Sequence, residues 1–411
     1  MSKVKPIVIV QGAQFGSEAK GMTALGLCEE RGVEFAVRTG SINAGHTVIV
    51  NGKKMAFQQL PVAAVLPRVK CVIGPGAYVH PKTLIDEIRM SGIDPGNVIV
   101  DRNCGIHLDD HQDEAKEAGR NLKIGATGKG CAEAIIHKIR DRGVGKSLLL
   151  RDRWDGVASR DFYVPLIAFD TAGMLNDVYD DGKSILIEGT QGALLDFHTG
   201  PYPFVTSRQT LAASWVSEAG LSPALDYEIA LVARTYPIRV AGVSGPMGEE
   251  IDWPTLARRI NSRLISCGLE PMISDAALLQ FQARMREAAL LYATDAEQRL
   301  LSSTMALASM DAEYRDEVMR LFETTTVTKR LRRIAELDLC QLRDTVHKER
   351  PAYLVLTFLN YVFPELAPTY NPGRLIHGEA MAYVRRVEQE TGARVQYVSV
   401  GPASKDLIRL C

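Results

Sequence analysis

Gln11-Gly-Ala-Gln-Phe-Gly-Ser-Glu-Ala-Lys-Gly21 is the stretch that decides how this chain folds. It follows a short apolar run, Ile7 to Val10, and precedes a segment from about Lys20 to Glu30 that reads as a helix. A strand, a glycine-rich turn and a helix in that order bring backbone N–H groups close to an anion, and the helix start favours negative charge. The turn therefore reads as a phosphate site. It is a poor match to a standard P-loop, G-x-x-x-x-G-K-[ST], because Lys20 precedes Gly21 and Met22 follows. A second motif, Asn43-Ala-Gly-His-Thr47, joins an amide, a small turn, an imidazole and a hydroxyl. Histidine can donate to a phosphate or base oxygen near neutral pH. Taken alone, His46 also fits a structural loop histidine.

Outward from this loop, short apolar runs alternate with amphipathic helical segments. Val4–Val10, Phe35–Arg38, Lys70–Ile73, Asn97–Val100, Ser184–Glu188, Ile229–Arg234, Tyr353–Thr357 and Val395–Val400 read as strands. Several are continuously apolar, which suits a sheet buried on both faces. Lys82–Met90 and Ala380–Glu390 read as helices. The pattern predicts an α/β fold with a mainly parallel central sheet flanked by helices. From Trp253 to Phe322 the chain is rich in Ala, Leu, Met, Arg and Glu and nearly lacks strand-like runs. We read 253–322 as a helical subdomain inserted within one domain spanning 1–411.

The 411 residues are 46% hydrophobic and 24% charged, an ordinary globular balance with ample length for a core. A net charge of −1 gives no support for a nucleic-acid or membrane surface. No apolar stretch approaches ~18 residues and no signal segment opens the chain. Cys28, Cys71, Cys104, Cys131, Cys267, Cys340 and Cys411 are scattered and never form C-x-x-C. That usage fits a reducing cytoplasm, with Cys104 and Cys131 buried or inert. His107-Leu-Asp-Asp-His111 has the residue types of a metal site but reads better as a helix start. His80, His137, His198 and His347 lack convincing ligand partners. The run Arg258–Arg263 reads as a solvated helix face.

Together the two motifs make the chain resemble the adenylosuccinate synthetase family, which opens with G-x-Q-W-G-D-E-G-K-G-K and continues with N-A-G-H-T. The likeness runs along nearly the whole chain except about 250–322. Gly125-Ala-Thr-Gly-Lys-Gly130 resembles G-T-T-G-R-G. Glu188-Gly-Thr-Gln-Gly-Ala-Leu-Leu-Asp196 resembles E-G-A-Q-G-x-x-L-D, and Tyr202-Pro-Phe-Val-Thr-Ser207 repeats Y-P-[FY]-V-T-S. Ala380–Arg385 and Ser399-Val-Gly-Pro402 resemble the C-terminal pattern. The resemblance implies a P-loop-related α/β fold and a two-step ligation. A nucleoside triphosphate phosphorylates O6 of a purine monophosphate, and the amino group of aspartate displaces that phosphate, with Mg²⁺ assisting.

By resemblance, His46 is the general acid at the donor phosphates, Lys20 neutralises developing charge and Gln191 hydrogen-bonds the 6-oxygen. Ser17, Glu18, Ala19, Lys20, Asn43, Ala44, Gly45, Thr127, Gln191 and Thr206 surround the purine nucleotide. Arg140 or Arg142 reaches its phosphate from a second copy in a homodimer. Gly16, Gly21, Gly45, His46, Thr47, Asn360, Ser399, Gly401 and Pro402 line the donor site, and Gly45 and Ser17 stand nearest the Mg²⁺. Thr324-Thr-Thr-Val-Thr-Lys-Arg-Leu-Arg-Arg333 resembles T-T-x-G-R-x-R-R and supplies Thr326, Thr328, Arg330 and Arg332 for aspartate. Two carboxylates call for arginine forks and hydroxyls. The competing reading of this run is a solvated basic helix start.

Two positions depart from the family. Ser17 stands where the family has an aspartate that acts as base toward purine N1–H and helps bind Mg²⁺. A serine hydroxyl is not a comparable base. Three readings are open: an inactive relative, a synthetase of IMP with the base supplied elsewhere, or a changed substrate. Guanine carries a 2-amino group beside N1 and hypoxanthine does not. Serine makes room there and offers an acceptor, and the same replacement marks the phage 2-aminoadenylosuccinate synthetases, which join dGMP to aspartate. In Leu356-Thr-Phe-Leu-Asn360 the family's L-T-K-L-D loses the lysine and aspartate that recognise guanine. An amide suits adenine's N6/N1 edge (by the logic of base edges), so Asn360 points to ATP or dATP. Phe358 is otherwise readable as a core aromatic at a strand end.

Overall fold

The computed structural model describes residues 6–142, 148–152, 167–168, 170–291, 302–325, 329–373 and 375–410. Its centre is a ten-stranded sheet: β1 (Ile7–Gly12), β2 (Phe35–Arg38), β3 (Lys70–Ile73), β4 (Val98–Asp101), β5 (Ile167–Ala168), β6 (Ile185–Glu188), β7 (Tyr227–Arg234), β8 (Tyr353–Thr357), β9 (Val395–Ser399) and β10 (Leu407–Arg409). The order is β10-β9-β8-β7-β1-β6-β2-β3-β4-β5. Every pairing is parallel except β10 with β9. β1 thus lies deep in the sheet, between β7 and β6, in the register Ile9↔Ile229 and Ile9↔Ile187.

That position explains the apolar run before the loop. Val8 and Val10 pack on one face, with Leu25 and Cys28 of helix α1 (Lys20–Arg31). Ile7 and Ile9 pack on the other, with Trp215 and Val384. Both faces are covered, so alternation is lost and β1 reads as a continuous hydrophobic stretch. The same holds for β7 and β8, and for β6 up to its last residue.

The expected strands are present with ends shifted by a few residues, as are helices Pro81–Ser91 and Gly378–Thr391. The residues before Pro6 lie outside the described part. The apolar pattern missed the hairpin His46–Val50 and Lys53–Phe57. Its turn, Asn51-Gly52, has both residues at positive φ (49° and 77°), a type of turn that Asn-Gly favours. Also missed were the two-residue β5 and a small sheet of Ile238–Arg239, Arg333–Ala335 and Glu250–Ile251. Strands of two or three residues are too short to show a period.

Between Trp253 and Phe322 the described residues form helices Trp253–Ser266, Asp275–Leu291, Ser302–Ala308 and Ala312–Val318. They share a core with the small sheet: Trp253, Leu256, Ile260, Phe281 and Phe322 are buried together with Tyr236, Ile238, Leu331 and Ile334. The run Arg258–Arg263 is not simply solvated. Arg259 pairs with Glu336, and Arg263 with Glu365 and Glu379, so this helix is tied to residues far along the chain. Ile260 and Asn261 on the same run are buried.

Candidate active site

Ligands of open parallel sheets bind beyond the carboxyl ends of the strands. Here those ends carry a set of polar residues: Gly12 on β1, Arg38 on β2, Glu188 on β6, Arg234 on β7, Thr357 on β8 and Ser399 on β9. Arg38, Glu188, Arg234, Thr357 and Ser399 are all buried.

The loop after β1 folds around Glu18. Its Oε1 accepts from the N–H groups of Gln14 (3.2 Å) and Gly16 (2.7 Å), and its Oε2 pairs with Lys20 Nζ at 2.7 Å. Two amides that could face an anion are therefore spent on an internal carboxylate. The first turn of α1 is different: its N-cap, Ala19, supplies no side-chain cap. The N–H groups there are the part of the loop suited to a phosphate. Glycine is required where these parts crowd. A Cβ on Gly12 would lie 2.7 Å from Glu18 Oε2 and 2.9 Å from Lys20 Nζ. One on Gly21 would lie 2.9 Å from the Cβ of His46.

Ser17 is half-buried and its hydroxyl accepts from Arg332 Nη1 at 3.0 Å. Burial presses the Arg332 guanidinium below its usual range, while Glu323 beside it supports the charge. Arg330 is half-buried and makes no ion pair among the described residues. Thr326 and Thr328 lie outside the described residues. The stretch is not a helix start. Thr324 bridges Leu331, and Thr325 Oγ1 accepts from Arg330 N–H at 3.0 Å. When Arg330, Arg332 and Arg333 are set on the arginines of the pattern, Lys329 takes the glycine's place and still holds φ 54°.

His46 lies behind α1. Its Nδ1 meets Glu188 Oε1 at 2.5 Å, and Glu188 also receives Arg38 Nη1 (2.6 Å) and Val62 N–H (2.8 Å). Burial opposes a charge on Glu188, but Arg38, then His46 and Val62, hold its carboxyl below the ordinary range. Burial, with Arg38 nearby, lowers His46 to about 4. Without a ligand His46 is neutral at pH 7, with Nδ1–H donated to Glu188 and Nε2 left as an acceptor. It becomes an acid only when an anion nearby restores its proton affinity.

Gln191 is buried at φ 54°, and its Oε1 has no hydrogen-bond partner. An unmet buried amide oxygen costs about 1–3 kcal/mol. The neighbouring hydroxyls of Thr190 and Thr39 are also without partners. Left-handed backbone at a residue other than glycine costs roughly 1–2 kcal/mol. Among the described residues it occurs at Ala19, Gln191, Lys329 and Phe358, all in this region, and otherwise only at Asn51, Arg142 and Arg350. Strain of this kind gathers at functional sites.

Asn43 and Ala44 are half-buried and Gly45 is exposed; Ala44 C=O accepts from Arg38 Nη2 at 2.7 Å. Thr47 is half-buried on the hairpin. Thr206 is half-buried, its N–H bonded to Leu195 C=O at 2.8 Å, and Thr127 is exposed. Arg140 and Arg142 are exposed at the end of helix Cys131–Asp141. Arg140 bonds Asp141, and Arg142 bonds Ile139 C=O. Beyond β8, Asn360 sits on the turn Leu359–Tyr361, and Ser399 Oγ accepts from Phe358 N–H at 3.3 Å, with Gly401 and Pro402 following. Phe358 is not a simple core aromatic. It is half-buried, with the Arg234 guanidinium 3.6 Å from its ring centre.

Magnesium requires hard oxygen donors. Among the described residues no group of three or more His, Cys, Asp or Glu side chains could hold a metal, His107 and His111 included. Glu18 is committed to Lys20 and two amides. The Ser17 hydroxyl and the exposed Gly45 backbone are hard oxygen donors of the kind that Mg²⁺ takes. Cys104 and Cys131 are buried, and burial raises both thiols.

Several site residues were not singled out from the sequence: Arg38, Glu188, Arg234 and Glu323. The first three share a signal, a charge that closes an otherwise apolar parallel strand. Gln11 was quoted without a role. It carries the loop on the sheet: Nε2 donates to Thr210 C=O (2.6 Å) and Glu349 Oε1 (3.0 Å), and Oε1 accepts from the indole of buried Trp215 (2.6 Å).

The profile of the adenylosuccinate synthetase family matches residues 9–161 and 160–365. The adenylosuccinate synthetase of Methanococcus aeolicus is 34% identical over 248 residues, 59% of this chain and 70% of that one. That of Pyrococcus horikoshii is 33% identical over 250 residues, 60% of this chain and 70% of that one. The succinoaminodeoxyadenylate synthetase of cyanophage S-2L, solved bound to dGMP and dATP, superimposes with a TM-score of 0.70 at 24% identity, covering 99% of this chain and 96% of that one. The fully ligated adenylosuccinate synthetase of Plasmodium falciparum gives 0.67 at 19% identity, covering 99% and 100%. At these identities the two solved structures speak to the fold.

Proposed function

The chain belongs to the adenylosuccinate synthetase family of C–N bond-forming ligases, and from that premise we propose that it condenses dGMP with L-aspartate, driven by ATP or dATP, to give N6-succino-2-amino-2′-deoxyadenylate. The observation that carries this reading is Ser17: a neutral hydroxyl, held by Arg332 at 3.0 Å, in the place of a base. It leaves room beside N1 for a 2-amino group and offers that group an acceptor. The phage enzyme with the related fold was solved with dGMP and dATP, which agrees with the choice of both nucleotides.

In this reading Gln191 faces the purine edge. Its amide can donate to O6 and accept from N1–H, which would satisfy the Oε1 now without a partner. Neither nearby carboxylate replaces the aspartate, because Glu18 is bound to Lys20 and Glu323 to Arg234. His46 Nε2 faces the donor phosphates, whose negative charge restores its proton so that it can protonate the departing oxygen. Lys20, still paired with Glu18, offers its remaining N–H donors to the transferring phosphoryl group. Gly45 and Ser17 are the residues that would hold magnesium, which would supply neutralisation of the phosphate oxygens. Asn43, Thr127 and Thr206 hold the acceptor phosphate, with Arg140 or Arg142 of a second copy. Thr326, Thr328, Arg330 and Arg332 take the two carboxylates of aspartate. Asn360 reads the adenine, and Phe358 flanks it.

The test pairs dGMP, GMP or IMP with ATP, dATP or GTP, in the presence of aspartate and Mg²⁺, and measures phosphate release. The expected best pairs are dGMP with ATP or dATP. Turnover with IMP and GTP alone would overturn the reading. It would favour the second reading, a divergent synthetase of IMP, which the sequence relatives named above support. Nucleotide binding without turnover in any pair would mark an inactive binder.

A further inference from the structure

We propose that Glu323 is a positioning residue that holds the donor-base platform beyond β8 in register with the arginine loop and with Ser17, so that the donor and aspartate sites are built as one unit. Glu323 immediately precedes that loop, and its backbone C=O accepts from Arg332 N–H at 2.9 Å. Its carboxylate meets Arg234, with Oε2 3.1 Å from Nη1, and accepts from Tyr361 Oη at 2.9 Å. Tyr361 shares the turn that carries Asn360. The Arg234 guanidinium carbon stands 3.6 Å from the Phe358 ring centre, and its Nη1 also reaches Ser17 C=O at 3.4 Å. Arg332, the second cation beside Glu323, bonds the Ser17 hydroxyl. One carboxylate thus touches or orients elements assigned to donor, aspartate and acceptor.

The backbone of Arg234 is fixed independently. Gln14 donates to its C=O at 3.1 Å and accepts from its N–H at 2.9 Å. The end of β7 is therefore a fixed post, and Glu323 and Tyr361 are the parts that can be displaced relative to it. Burial opposes the charge on Glu323, but Arg234 and then Arg332 keep it below the usual carboxylate range. It is a permanent anion at neutral pH and not a proton carrier. Removing it takes the nearest counter-ion from buried Arg234 and half-buried Arg332 and leaves only the more distant Glu18, a penalty that the site relieves by moving the two arginines apart.

The inference rests on the family's chemistry and not on which purine or triphosphate is used, so a failure of the dGMP reading leaves it standing. The experiment is steady-state kinetics on the full chain, with its best acceptor and donor. Glu323→Gln is expected to raise KM for aspartate and for the donor together, each at least fivefold, with a smaller rise for the acceptor nucleotide, which meets this unit only through Ser17. Glu323→Asp restores part of both. Tyr361→Phe removes a single hydrogen bond and keeps the packing, and is expected to raise the same two constants two- to threefold. Glu250→Gln breaks the neighbouring ion pair of Arg333 and serves as the control for a purely structural effect. A fall in Tm with both KM values unchanged, as expected of that control, would overturn the proposal. So would a rise in one KM alone, or unchanged constants in Tyr361→Phe if Glu323→Gln fails to fold.

Discussion

Two polar clusters border the first loop, one around Glu188 and one around Gln191 and Ser17, and they are built on opposite plans. Behind α1, Glu188 has every acceptor in use: Arg38, His46 and the Val62 amide surround it. In the other, Gln191 Oε1 has no partner, Arg330 has no counter-ion among the described residues, and Ser17 offers only a neutral hydroxyl. The first pocket fixes a ring and a proton before any ligand arrives. The second keeps bonds in reserve. The difference separates preorganisation, which needs finished contacts, from recognition, which needs unfinished ones.

The comparison breaks first at Glu188. Glu188→Gln leaves Arg38 as a buried charge without its partner, and the expected loss of stability is about 3–5 kcal/mol in a denaturant melt. The residual folded protein should also lose at least a hundredfold in phosphate release, since nothing then sets the His46 tautomer. A melt within about 1 kcal/mol of wild type would show that the pocket is not the closed unit described here.

Acid is the next lever. His46 titrates at about 4 in the fold, below the ordinary histidine value. The unfolded chain therefore binds more protons between about pH 6.5 and 4, and stability falls as pH drops through that window. The full contribution, on the order of 3 kcal/mol, is present above pH 6.5. Glu188, also lowered, loses its share in the same direction further into acid. His46→Asn should remove its own share of the slope between pH 6.5 and 4 and leave the part owed to His107, lowered to about 3, and to His111, also lowered. An equally steep loss in that variant would assign the acid sensitivity elsewhere.

The open pocket should respond in the reverse sense. Gln191→Leu removes an unmet buried oxygen, so the unliganded protein should melt no lower than wild type. Purine nucleotide binding should weaken by about 1–3 kcal/mol, roughly ten- to a hundredfold, in isothermal titration. A large drop in Tm would instead place Gln191 with the closed pocket. Smallest and most selective is Ser17→Asp, which sets a carboxylate against Arg332. It should lower kcat/KM for dGMP about tenfold more than for IMP, a difference of about 1.4 kcal/mol. Equal losses on the two nucleotides would rule out crowding of the 2-amino group.

The sheet was legible because its parallel strands are covered on both faces and leave long apolar runs, β1 and β8 above all. The hairpin that presents His46 was legible too, through Asn51-Gly52, but its strands are half polar and were passed over. β5 and the small three-stranded sheet were not legible, since two or three residues carry no period. At the site, the glycines, His46, Gln191 and the arginine loop lie in contiguous motifs, which a sequence displays. Glu188–Arg38 and Glu323–Arg234 join residues 150 and 89 positions apart, which it does not. Strain was equally hidden. Ala19 and Lys329 occupy left-handed positions where the patterns have glycine, and nothing in either residue type announces that conformation.

Trp215 turns this architecture into an optical gauge. Its indole N–H is bonded at 2.6 Å to Gln11, the residue that leads into the loop, and Arg208 lies 5.4 Å from its ring centre. Gln11 is bonded in turn to Glu349, which burial pushes up to about 7. With Trp154 and Trp253 replaced by phenylalanine, emission from Trp215 would read two things without any label: displacement of the loop on ligand binding, and the charge on Glu349 near neutral pH.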